Sequence, residues 1–257
     1  MVKLKEITDF LYSFCPDYLA EDYDNVGLLI EGTDDEIERV LVSLDTDCVV
    51  ADEAHDKGCQ LIVSHHPLIF KPIKRVFRDD AVSQIIRNNI SLYSMHTNYD
   101  AKDGGLCDAL LLKIAQTENI FPLIEGQDGA IGRIAELKCE MTLSEFAENV
   151  KKELSLDILR VVGDKDKKIK TVAICGGGGG DFTYDALAKG ADLYISGDFK
   201  YHHARLAFEK GMALLEISHY DAEILFIDEV KKLLSEKFAS RLEVIKSEKN
   251  INPWNVI

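Results

Sequence analysis

Strand-sized apolar runs alternate with segments of helical spacing along nearly the whole chain, and no other feature constrains the fold as strongly. Residues 39–44 (RVLVSL), 60–64 (QLIVS), 90–95 (ISLYSM), 131–138, 158–162, 171–175, 191–196, 212–217 and 242–246 read as strands. Between them, 46–57, 79–88, 143–154, 182–189, 201–210 and 222–238 read as helices, and a short one follows Gly104-Gly105. Leu4, Ile7, Phe10, Leu11 and Phe14 place an opening helix over 4–14, before Pro16. Short continuous apolar runs mark buried strands, and apolar residues three and four apart mark one face of a helix. Strand–helix alternation is the pattern of a parallel sheet covered by helices on both faces. The expected fold class is therefore α/β, with mostly parallel sheets sandwiched by helices. Pro122, Gly126 and Gly129 interrupt the pattern and place a domain boundary near 121–129.

Composition narrows the function. The chain has 257 residues, room for two domains of ordinary size. Its 45 acidic residues outnumber 30 basic ones, for a net charge of −15. That argues against wrapping nucleic acid, which rests on neutralising phosphates with Lys and Arg. It is compatible with binding metal cations. Cys15, Cys48, Cys59, Cys107, Cys139 and Cys175 form no C-x-x-C pair and read as reduced thiols of a cytoplasmic protein. The start, MVKLKEITDF, carries acidic residues where a secretory signal would be apolar. No apolar run approaches the roughly 18 residues that span a bilayer, so no membrane partner is expected.

Three strands end in polar clusters: His65-His66-Pro67, then His96-Thr97-Asn98-Tyr99-Asp100, then Ser218-His219-Tyr220-Asp221-Ala222-Glu223. In open parallel sheets the ligand crevice lies beyond the carboxyl ends of the strands. Imidazole and carboxylate together suit zinc, iron, manganese or nickel. His219 and Glu223 are four apart and share a face if a helix begins at once. His65 and His66 are adjacent, and Pro67 keeps His66 extended, so their rings are expected to diverge. Diverging histidines fit two metals better than one, with Asp100 or Glu223 as the bridge. Each cluster alone is ordinary; three at equivalent strand ends are not. Gly176 to Gly180 stand where a phosphate cradle would lie, but no Lys follows and Asp181 would repel phosphate. A close-packed or flexible glycine loop is the favoured reading. His96 and His202 are candidates for groups beside the metals, His203 competes with His202 for that role, and His55 reads as a solvated side chain.

Five stretches in this order carry a resemblance: residues 20–28 (AEDYDNVGL), 64–70 (SHHPLIF), 96–101 (HTNYDA), 196–202 (SGDFKYH), and His219-Tyr220 with Glu223. With them the chain resembles the Nif-three-like dinuclear metal centre family, whose members are often described as homologues of type 2 GTP cyclohydrolase I. The resemblance implies two related α/β domains built partly from segments distant in sequence. Here those would be 1–121 plus about 220–257, carrying most metal ligands, and about 122–219. It implies a toroidal homohexamer and two divalent metal ions per chain, held by His65, His66, Asp100, His219 and Glu223. The length matches the family's short form, without the inserted middle domain. The family often has Trp, Asn and a hydroxyl residue where Tyr23, Cys107 and Ala222 stand. The expected activity is metal-dependent hydrolysis of a small, nucleotide-like substrate. The alternative is a metal-binding ring that serves as a scaffold or regulator without turnover.

Overall fold

The computed structural model describes residues 1–126, 130–249 and 252–255. They divide into two compact units: Met1–Tyr99 with Phe226–Ile257, and Asp100–Leu225. The described residues on either side of the interruption near 121–129 fall in the second unit. Strands Thr117–Glu125 and Ala130–Thr142 pair antiparallel across it, inside the second unit. Gly129 lies outside the described residues. Residues 100–121 and 220–225, expected in the first domain, belong to the second unit. The reason is burial: helix Leu106–Ile114 packs Leu110, Leu111 and Ile114 into one cluster with Val172, Leu193 and Ile195, and Ala222 joins the same cluster.

The first unit holds a five-stranded sheet in the order Glu243–Lys246, Arg39–Ser43, Leu61–Ser64, Ser91–Ser94, Gly27–Ile30. All its ladders are parallel except the last, which joins Gly27–Ile30 to Ser91–Ser94. Every residue of Leu61–Ser64 and Ser91–Ser94 is buried, as strands covered on both faces require. On one face Leu41, Ile62 and Leu92 meet Val50, Ala51 and Ala54 of helix Cys48–Asp56 and Ile85 of helix Ala81–Arg87. Asp47 caps the first of these helices by accepting the Val50 N–H at 2.8 Å. Helix Leu4–Phe14 buries Leu4, Ile7 and Leu11. Its Phe10 meets Phe238 of helix Leu225–Phe238 edge to face, with ring centroids 5.6 Å apart.

The second unit holds a six-stranded sheet ordered Thr117–Glu125, Ala130–Thr142, Lys168–Ile174, Leu193–Ser196, Ala213–Glu216, Arg160–Val162. Its middle ladders are parallel and the flanking ones antiparallel, so the parallel part is narrower than expected. Side chains alternate strictly. Val172, Leu193, Ile195 and Leu215 face the helices Leu106–Ile114 and Leu143–Leu154. Ala173, Tyr194 and Leu214 face Ala186 and Ala207 of the helices Thr183–Ala188 and Tyr201–Lys210. The charged stretch 165–170 is not all turn: the strand takes it from Lys168 because Ile169 is fully buried. The helix expected over 222–238 is two helices, His219–Glu223 and Leu225–Phe238. The first starts early because Ser218 Oγ accepts the Asp221 N–H at 3.1 Å.

One buried ion pair organises the start of the second unit. Arg133 is only 2% exposed. Its guanidinium meets Asp108 at 2.9 Å and donates to the carbonyls of Gly132, Ala101 and Lys102. Asp108 in turn accepts the Gly104 N–H at 2.8 Å. The fork is thus shared between a carboxylate and the chain that follows Asp100. Breaking a buried pair leaves an uncompensated charge. Arg133→Met is expected to lower stability by roughly 3–5 kcal/mol, measured by urea unfolding. An unchanged midpoint would refute this account.

Candidate metal centre

In the first unit, three imidazoles gather beyond the strand ends. His65 and His66 follow Leu61–Ser64, and His96 follows Ser91–Ser94. Their ring centroids lie 5.1 Å apart for His65–His66, 5.3 Å for His65–His96 and 5.5 Å for His66–His96. One ring nitrogen from each falls within 4.8 Å of the others, so the three could hold a metal ion. The adjacent rings stand together instead of diverging. His65 is fully buried and leans on Phe226 at 5.0 Å. The backbone carries the sheet pairing onward, since His65 and His66 donate their N–H groups to the carbonyls of Ser43 and Leu44.

Each ring has its Nδ1 engaged. His65 Nδ1 lies 2.8 Å from the Met95 carbonyl, His66 Nδ1 2.7 Å from Asp45, and His96 Nδ1 2.9 Å from both oxygens of Asp24. A carbonyl or carboxylate there fixes the ring and its tautomer and leaves Nε2 as the donor atom toward a metal. Asp24 also accepts from the Thr97 N–H and hydroxyl and from the Asn25 N–H. Burial would raise its carboxyl. The His96 and Thr97 hydrogen bonds, the charge of His96 and the Asn25 N–H prevail and hold it down at about 2.

In the second unit, Asp100, His219 and Glu223 lie along the glycine loop. His219 opens the helix His219–Glu223 and Glu223 closes it. His219 Nε2 is 3.1 Å from Glu223, and its Nδ1 is 2.8 Å from Asp198. Glu223 is 3% exposed. Any Cβ at Gly176 would stand 3.9 Å from Asp100 Oδ1. At Gly177, where φ is +57°, a Cβ would run into Glu223 Oε1 and come 3.2 Å from His219 Nε2. Gly178 faces Asp198 and Gly180 faces His203. These glycines are a close-packing device among carboxylates, not a phosphate cradle. The Gly197 N–H holds the loop by donating to the Gly177 carbonyl at 2.8 Å.

Beside the loop, the Cys107 and Cys175 thiols are buried, and the Gly176 N–H points at Cys107 Sγ at 3.5 Å. The hydrogen bond with Cys107, together with burial, pushes the Cys175 thiol well above its ordinary range. It is a neutral packing group.

His202 is exposed and touches the Tyr201 ring, so it is not part of this group. Its neighbour His203 is the packed one, 3.2 Å from Asp181. His55 is exposed. Asp24, Asp45 and the role of Gly177 were not singled out from sequence. Asp45 had a usable signal, because it follows the strand beside Leu61–Ser64 at the same carboxyl edge.

Fold and side chains together define a class: a two-unit α/β protein with histidine–carboxylate groups fit to bind metal. The profile of the Duf34/NIF3 family (NGG1p interacting factor 3) matches residues 2–253. The chain belongs to that family. It is 35% identical to a "GTP cyclohydrolase 1 type 2 homolog" of Clostridium perfringens over 100% of both chains. A protein of the same name from Streptococcus pneumoniae is 36% identical over 98% of both. Among solved structures, hypothetical protein SA1388 of Staphylococcus aureus matches with a TM-score of 0.89 and 31% identity, covering 100% of this chain and 99% of that one. Reduced HcgD from Methanocaldococcus jannaschii matches with 0.84 and 31%, covering 96% and 98%. No helix among the described residues is long and apolar enough to cross a membrane.

Two outcomes follow from this geometry. Gly177→Ala is expected to displace Glu223 and reduce bound metal by tenfold or more with the circular dichroism spectrum unchanged; full metal content would contradict the close packing. In metal-free protein, the folded carboxyl of Asp24 titrates below its unfolded value. Its contribution is therefore full above about pH 4 and lost as pH falls through about 2. The stability advantage over Asp24→Asn should shrink by about 2 kcal/mol between pH 5 and pH 2, read from urea unfolding.

Proposed function

We propose that this protein binds two divalent metal ions through His65, His66, Asp100, His219 and Glu223 and uses them to hydrolyse a small, nucleotide-like molecule. The observation that carries the reading is the orientation of the imidazoles. His65, His66 and His219 each have Nδ1 held by a carbonyl or carboxylate, which makes Nε2 the atom to offer a cation, at His219 together with Glu223 3.1 Å away. The donor set suits zinc, iron, manganese or nickel. When bound, such ions supply Lewis acidity and lower the pKa of water.

The chain's own residues do the rest. Asp45 and Asp198 keep His66 and His219 in the tautomer that binds metal and raise their basicity. Glu223 is a buried carboxylate beside His219 Nε2 at 3.1 Å, and a cation held there would further offset the cost of burying its charge. The name shared by the curated relatives supports hydrolytic chemistry on a nucleotide-like substrate. A ring of six copies is part of the proposal, as the resemblance implies.

Elemental analysis of untagged protein reloaded with zinc, manganese or iron tests the centre. About two ions per chain are expected, lost together in Glu223→Gln. Asp198→Asn should weaken metal affinity by about 10–100-fold. Turnover against a nucleotide panel, abolished in Glu223→Gln, tests the activity. Loaded protein that turns over nothing faster than that variant would sink the hydrolase reading, and sedimentation as a monomer would sink the ring.

A further inference from the structure

The first unit carries a segment that neither its core nor the histidine group requires. Residues 70–79 are all exposed. They include Lys71, Lys74, Arg75 and Arg78, interleaved with Phe70, Ile73, Val76 and Phe77. No acidic residue occurs from His65 to Arg78, in a chain whose net charge is −15. Among the described residues, none of these four cations has an ion pair or hydrogen bond. The segment is nonetheless fastened at both ends. The Ile69 carbonyl accepts from Asn25 Nδ2, the Asp79 carbonyl accepts from Cys48 Sγ at 3.3 Å, and the Phe77 N–H donates to Asp80 at 2.7 Å.

Its start borders the histidines. The Phe70 ring lies 6.2 Å from His96 and 6.2 Å from the ring of Tyr23, a residue that is 65% exposed. Clustered cations without internal partners are suited to phosphate, which Arg binds through a fork and Lys as a point charge. Exposed aromatics offer flat faces for a ring. Contiguous exposed apolar residues mark an interaction site.

We propose that residues 70–78, with Tyr23, form a binding arm for phosphate esters that carry an aromatic ring. Lys71, Lys74, Arg75 and Arg78 take the phosphate, and Phe70 and Tyr23 take the ring, beside His65, His66 and His96. The net charge of −15 disfavours a long polyanion and favours a small one. The delivery of the ester to a metal site rests on the hydrolase reading; the binding itself does not.

The test is calorimetric titration of the full chain, metal-free and metal-loaded, with 1-naphthyl phosphate and with inorganic phosphate. Metal-free protein is expected to bind naphthyl phosphate, with affinity falling tenfold or more in a Lys74→Gln, Arg75→Gln double variant. Phe70→Ala should weaken naphthyl phosphate and leave inorganic phosphate unchanged. Both variants should keep the parent's metal content. Unchanged affinity in the double variant would overturn the proposal. So would tighter binding of a single-stranded oligonucleotide, or a changed sedimentation coefficient in that variant, which would make the arm a contact between copies. Arm-dependent binding in a protein that holds no metal would instead remove the hydrolase reading and leave the arm standing.

Discussion

Strands buried on both faces leave polar side chains one place to go, the strand ends. In the first unit Val40, Leu41, Val42, Leu61, Ile62 and Val63 are all buried, and in the second so are Leu193, Tyr194 and Ile195. Asp45, His65, His66, His96, Asp198 and His219 all lie just beyond carboxyl ends of such strands. Within each unit, parallel pairing of neighbouring strands brings these ends to one edge of that unit's sheet. The chemistry of the protein is therefore a consequence of how completely its sheets are covered.

Orientation is a separate requirement, met by hydrogen bonds between residues far apart in sequence. Asp24 holds His96 and Thr97 from a segment more than seventy residues away. Asp45 and Asp198 do the same for His66 and His219 across adjacent strands. Space for Glu223 is kept by the absence of a side chain at Gly177. Arg133 fixes the backbone just after Asp100 through the carbonyls of Ala101 and Lys102. Each proposed ligand thus has a supporting group beside it, the kind of arrangement that sets ring direction at metal sites.

Charge is distributed with the same economy. An acidic chain suits cation binding, yet the segment that borders the histidines is locally cationic and aromatic. An average over the chain hides such a reversal. The four cations of residues 71–78 matter because, among the described residues, they have no ion pair and follow Phe70 in one exposed segment, which the composition does not record.

Periodicity and strand-end clusters were enough to read most elements, the α/β class, and His65, His66, Asp100, His219 and Glu223 as the residues to watch. Those signals are local: burial imposes a period on each strand and helix, and chemistry imposes residue types at its end. The division at Tyr99 and Phe226, the pairing of Thr117–Glu125 with Ala130–Thr142 and the early start of the helix at His219 were decided by tertiary packing and one cap. So were the Asp24, Asp45 and Asp198 hydrogen bonds, the exposure of His202 beside a packed His203, and the close packing of the glycine loop. Hydrogen bonds between distant segments and room for a missing Cβ leave no period in a sequence, because they exist only once the chain has folded.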